Sequence, residues 1–125
     1  MPTMKTLCIL LLIVFTTSCI PQHSGQVQTI DIETVKAEVI GKDVQWIDVR
    51  TPEEYAAGHI DDAINIDISD STSFAQKVKN LDKEEPVYIY CQMGGRSNRA
   101  AQQLKTMGFK TIFDYSGGYG EWVKR

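Results

Sequence analysis

The chain has 125 residues, a formal net charge of −3 at pH 7 and 42% hydrophobic residues. That length suits one domain with one core, not two. The mild acidity offers no basic stripe for nucleic acid, and no repeat or low-complexity segment is present.

Residues 1–18 read as an export signal: Lys5 gives the charge, residues 7–15 an apolar run, and Thr16, Thr17 and Ser18 a small-residue zone. The run is far short of the ~20 residues that span a bilayer, so a signal peptide is expected rather than an anchor helix. Cys19, following small residues, resembles a bacterial lipobox cysteine. Two readings stay open, lipidation of Cys19 with anchoring to a membrane, or a plain cut and release. Both put the protein outside the cytoplasm, in a bacterial periplasm or cell envelope. Residues 19–26 read as a polar tether and residues 27–125 as the domain. Losing residues 1–18 leaves 107 residues, and losing Lys5 with no acid takes the charge from −3 to −4.

The domain alternates short apolar runs with amphipathic segments. Residues 27–30 suit an edge strand, and Asp31 can cap a helix whose apolar face is Ile32, Val35, Val39 and Ile40, closed by Gly41. Residues 44–49 form a second strand. Thr51, Pro52, Glu53 and Glu54 make a capping box with proline at the first helical position, opening a short helix that ends near Gly58. Residues 63–66 are a third strand. Residues 73–81 are helical, with Phe74, Val78 and Leu81 inward. Residues 87–90 are a buried fourth strand, rich in β-branched and aromatic side chains. The next helix, capped by Ser97, buries Ala100, Ala101, Leu104 and Met107 and ends at Gly108. Residues 111–114 are a fifth strand and 119–124 a terminal helix. This order implies an α/β fold, a mostly parallel five-stranded sheet with helices on both faces. Sites in such sheets form beyond the carboxyl ends of strands.

Cys91 sits at one such end, in the run Tyr90-Cys91-Gln92-Met93-Gly94-Gly95-Arg96-Ser97. Gly94 and Gly95 allow positive φ, so successive N–H groups can turn inward as an anion nest. The following helix adds partial positive charge at its N-terminus. A thiol there is favoured as its anion. Cys8 and Cys19 fall in or beside the export signal, so Cys91 is left as the one thiol of the domain, with no disulfide partner.

That run resembles the active loop of the rhodanese family of sulfurtransferases, with four residues between Cys91 and Arg96. Other signatures resemble the same family: Asp48-Val49-Arg50 with Glu54-Tyr55, Gly58-His59-Ile60 with Ala63-Ile64-Asn65, Gly108-Phe109, and Gly117-Gly118 with Trp122. The similarity spans residues 26–125. It implies a single rhodanese-like domain, a small sulfur donor and a thiol or cyanide acceptor as partners with no nucleic acid, and no cofactor or metal. The implied chemistry is transfer of sulfane sulfur through a Cys91 persulfide. A donor (thiosulfate or a persulfide) gives the sulfur, and a thiol or cyanide takes it. The amides of Gln92, Met93, Gly94, Gly95 and Arg96 would bind substrate, with Asp48, Arg50 and Ser97 in support. Arg96 either contacts a donor's sulfonate or braces the loop. His59 is read as structural, Arg99 as solvated, and Tyr119 and Trp122 as cap and core. The protein is expected to be a monomer. Two alternatives remain, a non-catalytic rhodanese-like binding or sulfur-carrier module, and a phosphatase or arsenate reductase on the same scaffold.

Overall fold

The computed structural model describes residues 25–125; the expected export signal, Cys19 and the expected tether up to residue 24 lie outside the described residues. Strands β1 (Gln26–Ile30), β2 (Gln45–Asp48), β3 (Ile64–Asn65), β4 (Val87–Tyr90) and β5 (Thr111–Tyr115) form one sheet in the order β1-β5-β4-β2-β3. All four pairings are parallel. Five helices cover it: α1 (Ile32–Glu38), α2 (Pro52–Ala57), α3 (Ser71–Lys77), α4 (Gly95–Thr106) and α5 (Gly118–Trp122).

β4 lies at the centre, and all four of its residues are buried, which is why its sequence is apolar without alternation. Its two faces see different cores. Val87, Ile89 and Cys91 pack with Phe74, Ala100, Ala101, Leu104 and Ile112, beneath α3 and α4. Tyr88 and Tyr90 pack with Val35, Val39, Trp46, Tyr115 and Trp122, beneath α1 and α5.

Register sets the position of the site. Tyr90 pairs with Asp48 on one side and Tyr115 on the other. The chain therefore leaves β2, β4 and β5 at the same level, and Val49-Arg50, Cys91 and Ser116 emerge side by side on one edge.

The helix caps act as the sequence suggests at α1 and α2. Asp31 accepts from the Thr34 amide at 2.9 Å, and Thr51 with Glu54 closes the capping box. Several boundaries differ from expectation. β1 begins at Gln26, whose amide donates to the Lys110 carbonyl at 2.9 Å. α1 stops at Glu38, with Val39 as its C-cap. α3 begins at Ser71 because Asp70 accepts from the amides of Thr72 and Ser73; it ends at Lys77, and Val78–Asn80 tightens into a 3-10 turn. β3 shrinks to two edge residues, and α5 spans Gly118–Trp122. Asp61 takes a positive φ of 52°, and its carboxylate accepts from the Gly41 amide at 3.2 Å.

Candidate active site

Four residues, Cys91 to Gly94, must turn the chain from β4 into α4. Gly94 makes the turn possible, with φ +100° as the N-cap of α4. Its N–H donates to the Cys91 sulfur at 3.0 Å. A Cβ at this position would lie 2.8 Å from the Ser116 carbonyl oxygen, so conformation and space both call for glycine. Cys91 is a free thiol, only 1% exposed.

Ser97 is not the helix cap. The positive φ of Gly94 starts the helix early, which places Ser97 inside the first turn. Its hydroxyl donates to the Gly94 carbonyl at 3.1 Å, and its oxygen lies 3.4 Å from the Cys91 sulfur. It belongs to the thiol's surroundings.

The other side of the loop rests on α5. The first amides of a helix have no partner within it. Here the Tyr119 amide donates to the Cys91 carbonyl at 2.8 Å and the Gly120 amide to the Gln92 carbonyl at 3.1 Å. Gly118 has φ +67°, and a Cβ there would fall 2.5 Å from the Cys91 carbonyl oxygen. The two glycines at 94 and 118 thus let backbone approach backbone around the cysteine.

Asp48 and Arg50 are buried together beneath the loop. The Arg50 guanidinium donates to the Asp48 carboxylate at 2.7 to 3.1 Å, to the Gly58 carbonyl at 2.7 Å and to the Gln92 side-chain oxygen at 3.2 Å. Tyr119 covers it, with 4.2 Å between the guanidinium carbon and the ring centroid. One cation therefore ties β2, the end of α2, the cysteine loop and α5. Burial works against the charge of Arg50, but the hydrogen bond and charge of Asp48 prevail and its pKa is raised.

Arg96 forks onto Glu54, at 2.6 and 2.9 Å. This is the bracing arrangement of its two expected roles. The hydrogen bond from Arg96 pulls the Glu54 carboxyl down to about 2. Both guanidinium groups near the loop are thus matched by carboxylates. Gln92 and Met93 are neutral, and Met93 is 84% exposed. A groove of about 610 Å³ runs beside them, lined in part by Gly117, Gly120 and Val123. Gly95 faces open space, and its Cβ position meets nothing within 4 Å.

The remaining residues take supporting places. The His59 Nδ1 lies 3.0 Å from the Tyr55 carbonyl oxygen and its ring stacks on Tyr55. Arg99 is exposed and Trp122 is core. Two residues carry more than the sequence suggested. Glu54 is legible as a capping-box residue, but its grip on Arg96 is a contact across 42 positions. Asp114, near the end of β5, is a buried carboxyl whose Oδ1 has no hydrogen-bond partner. Among the described residues, no group of three His, Cys, Asp or Glu could hold a metal, and no helix is long and apolar enough to cross a membrane.

A parallel α/β sheet with a cysteine loop at its carboxyl edge defines the class of domain. The chain belongs to the rhodanese-like domain family, whose profile matches residues 31–125. It is 42% identical over 78 residues to an uncharacterized protein, YqhL, of Bacillus subtilis, covering 62% of this chain and 60% of that one. It is 33% identical over 100 residues to thiosulfate sulfurtransferase 16, chloroplastic, of Arabidopsis thaliana, covering 73% of this chain and 83% of that one. The human single-domain sulfurtransferase TSTD1 superposes with a TM-score of 0.66 at 27% identity, covering 78% of this chain and 96% of that one.

Proposed function

We propose that the protein is a sulfurtransferase that carries sulfane sulfur on Cys91. The observation that carries this reading is the Gly94 N–H set on a buried, unpaired cysteine sulfur. An amide fixed on that atom stabilises negative charge there without reorganising during reaction. The Cys91 thiolate attacks the outer sulfur of a donor; the donor's S–S bond breaks, and its electron pair leaves with an anion such as sulfite or a thiolate. The Gly94 amide, joined by the other loop amides from Gln92 to Arg96, then holds the persulfide anion. A thiol or cyanide takes the outer sulfur and returns the electron pair to Cys91. No general base is required where nucleophile and leaving group are both anions. Phosphate or arsenate chemistry would want a free guanidinium over the loop, and Arg96 is already engaged by Glu54. The domain acts as a monomer in this reading, on small donors and acceptors. Export through residues 1–18 and lipidation of Cys19 belong to the same proposal, and would set the reaction in the cell envelope.

The test is the intact mass of the soluble domain after incubation with thiosulfate or a low-molecular-weight persulfide. A gain of about 32 Da, removed by cyanide and absent in Cys91→Ser, is expected. No gain with any donor on folded, reduced protein would leave only the binding-module reading.

The paired charges give the donor preference. Thiosulfate is a dianion, and the loop offers it no uncompensated cation, whereas an organic persulfide needs none. Glu54→Gln keeps the capping box and frees the charge of Arg96. Thiosulfate-dependent persulfide formation should rise about fivefold, a difference of roughly 1 kcal/mol, with the organic persulfide rate little changed. The same variant has a pH signature. The Glu54 carboxyl has a folded pKa of about 2 against 4.5 ordinarily. Its contribution is therefore complete above 4.5 and is lost as pH falls toward 2. Partial exposure limits it to about 1 kcal/mol. Glu54→Gln should flatten that part of the acid limb in urea titrations. An unchanged limb and unchanged thiosulfate rate would remove Arg96–Glu54 as the determinant.

A further inference from the structure

Two hollows meet beside the cysteine loop. The groove of about 610 Å³ begins at Gln92 and Met93 and passes Val123 to reach Ser116, Gly117 and Glu121. A second hollow, of about 660 Å³, shares those last three residues and continues to Asp31 and Glu38, with the half-buried Phe113 in its wall. Joined, they make one open trough from the loop after β4 across β5 to β1. Neighbouring strands stand about 4.8 Å apart, so that crossing covers roughly 10 Å.

The two ends of the trough differ in chemistry. Met93 and Val123 are 84% and 54% exposed. A single exposed apolar residue needs no explanation, but these two share one groove beside Cys91. Asp31, Glu38 and Glu121 line the far end, and none of them is in an ion pair among the described residues. Lys124, on the near rim, is the one cation lining either part among the described residues, so the trough is net negative. At the loop itself, by contrast, Arg50 and Arg96 are each matched by a carboxylate. An apolar start and an acidic end complement a basic chain, not an anion.

We propose that this trough docks a basic polypeptide segment whose cysteine thiol accepts the sulfur carried on Cys91. A Lys or Arg three to four residues from that cysteine then lies among Asp31, Glu38 and Glu121. The inference rests on the sulfurtransferase reading and extends its thiol acceptors to protein thiols. The spacing follows from reach, because three extended residues span about 10 Å. Phe113 gives the stem of the basic side chain apolar cover while its charge meets the carboxylates. In the transfer, the segment's thiolate bonds to the outer sulfur of the persulfide. The S–S bond to Cys91 breaks, its electron pair stays on Cys91, and the segment leaves as a persulfide anion. No oxidant or reductant is consumed.

The test loads Cys91 with sulfur and offers the protein two synthetic peptides that differ only in charge. Each carries one cysteine, followed at the third and fourth positions by lysine in one and glutamate in the other. Mass spectrometry times transfer to each, relative to transfer to cyanide. At low salt the lysine peptide should be favoured about tenfold, and about 0.5 M salt should remove most of that preference. Glu38→Lys should abolish it, and Glu121→Gln should weaken it. Binding is read apart from chemistry by fluorescence anisotropy of the labelled lysine peptide with serine in place of its cysteine. Equal transfer to the two peptides, or a preference that Glu38→Lys leaves intact, would overturn the proposal. A dimer in sedimentation that Glu38→Lys dissociates would give the trough to a second copy of the chain, and would overturn it too. Failure to form any persulfide would count against the sulfurtransferase reading alone, because anisotropy still decides whether the trough selects the basic peptide.

Discussion

Asp48→Ala is expected to lower the free energy of unfolding by about 3–5 kcal/mol, more than any other polar substitution in the domain. The reason is what remains. Arg50 stays 1% exposed, with its charge uncompensated and its bonds to Gly58 and Gln92 insufficient to replace a carboxylate. The ion pair itself need not be worth that much, since desolvation offsets most of its attraction. Removing both charges, as in Asp48→Leu with Arg50→Met, should therefore recover part of the loss. Urea unfolding checks this, provided the slope with denaturant is unchanged so that midpoints report stability. A loss below 1 kcal/mol for Asp48→Ala would mean that water reaches Arg50. The double variant should still bind sulfur poorly if stable, because Gln92 loses its anchor to Arg50.

Much of this arrangement was legible in the sequence, for physical reasons. The apolar tetrad of β4, the Thr51 capping box and the Asp31 cap are local signals, and each forms where its residues stand. The cysteine loop was legible because glycine marks positions where φ turns positive. Ser97 was misread because serine before a helix usually caps it, while here the left-handed Gly94 takes that position. The end of α3 and the length of β3 escaped because they depend on tertiary packing rather than local pattern. The grip of Glu54 on Arg96 escaped for a related reason. The same carboxylate serves the capping box and a partner on another helix, and only folding brings the second into reach.

The site is built by close backbone approach more than by reactive side chains. Cys91 has its carbonyl held by α5 and its sulfur held by Gly94, so the cysteine is fixed at both ends of its residue. The charges that surround it are paired off. In the proposed reaction, what distinguishes one sulfur species from another is then the loop's amides and the neutral groove by Met93.

Gly94→Ala should accordingly reduce the rate of persulfide formation by about 10²-fold, the scale seen when one fixed donor to a developing anion is lost. Alanine at φ +100° is strained, and its Cβ would meet the Ser116 carbonyl at 2.8 Å. Either the loop moves and withdraws its N–H from the sulfur, or β5's exit moves with it. The stability cost should be modest, about 1–3 kcal/mol, because strain is confined to one residue. Gly95→Ala is the matched comparison. Its N–H is retained, its φ is not positive and the added methyl meets open space, so the rate should fall by no more than about threefold. Single-turnover mass spectrometry with an organic persulfide separates the two. Equal losses at 94 and 95 would mean that loop flexibility, rather than the Gly94 amide on sulfur, sets the rate.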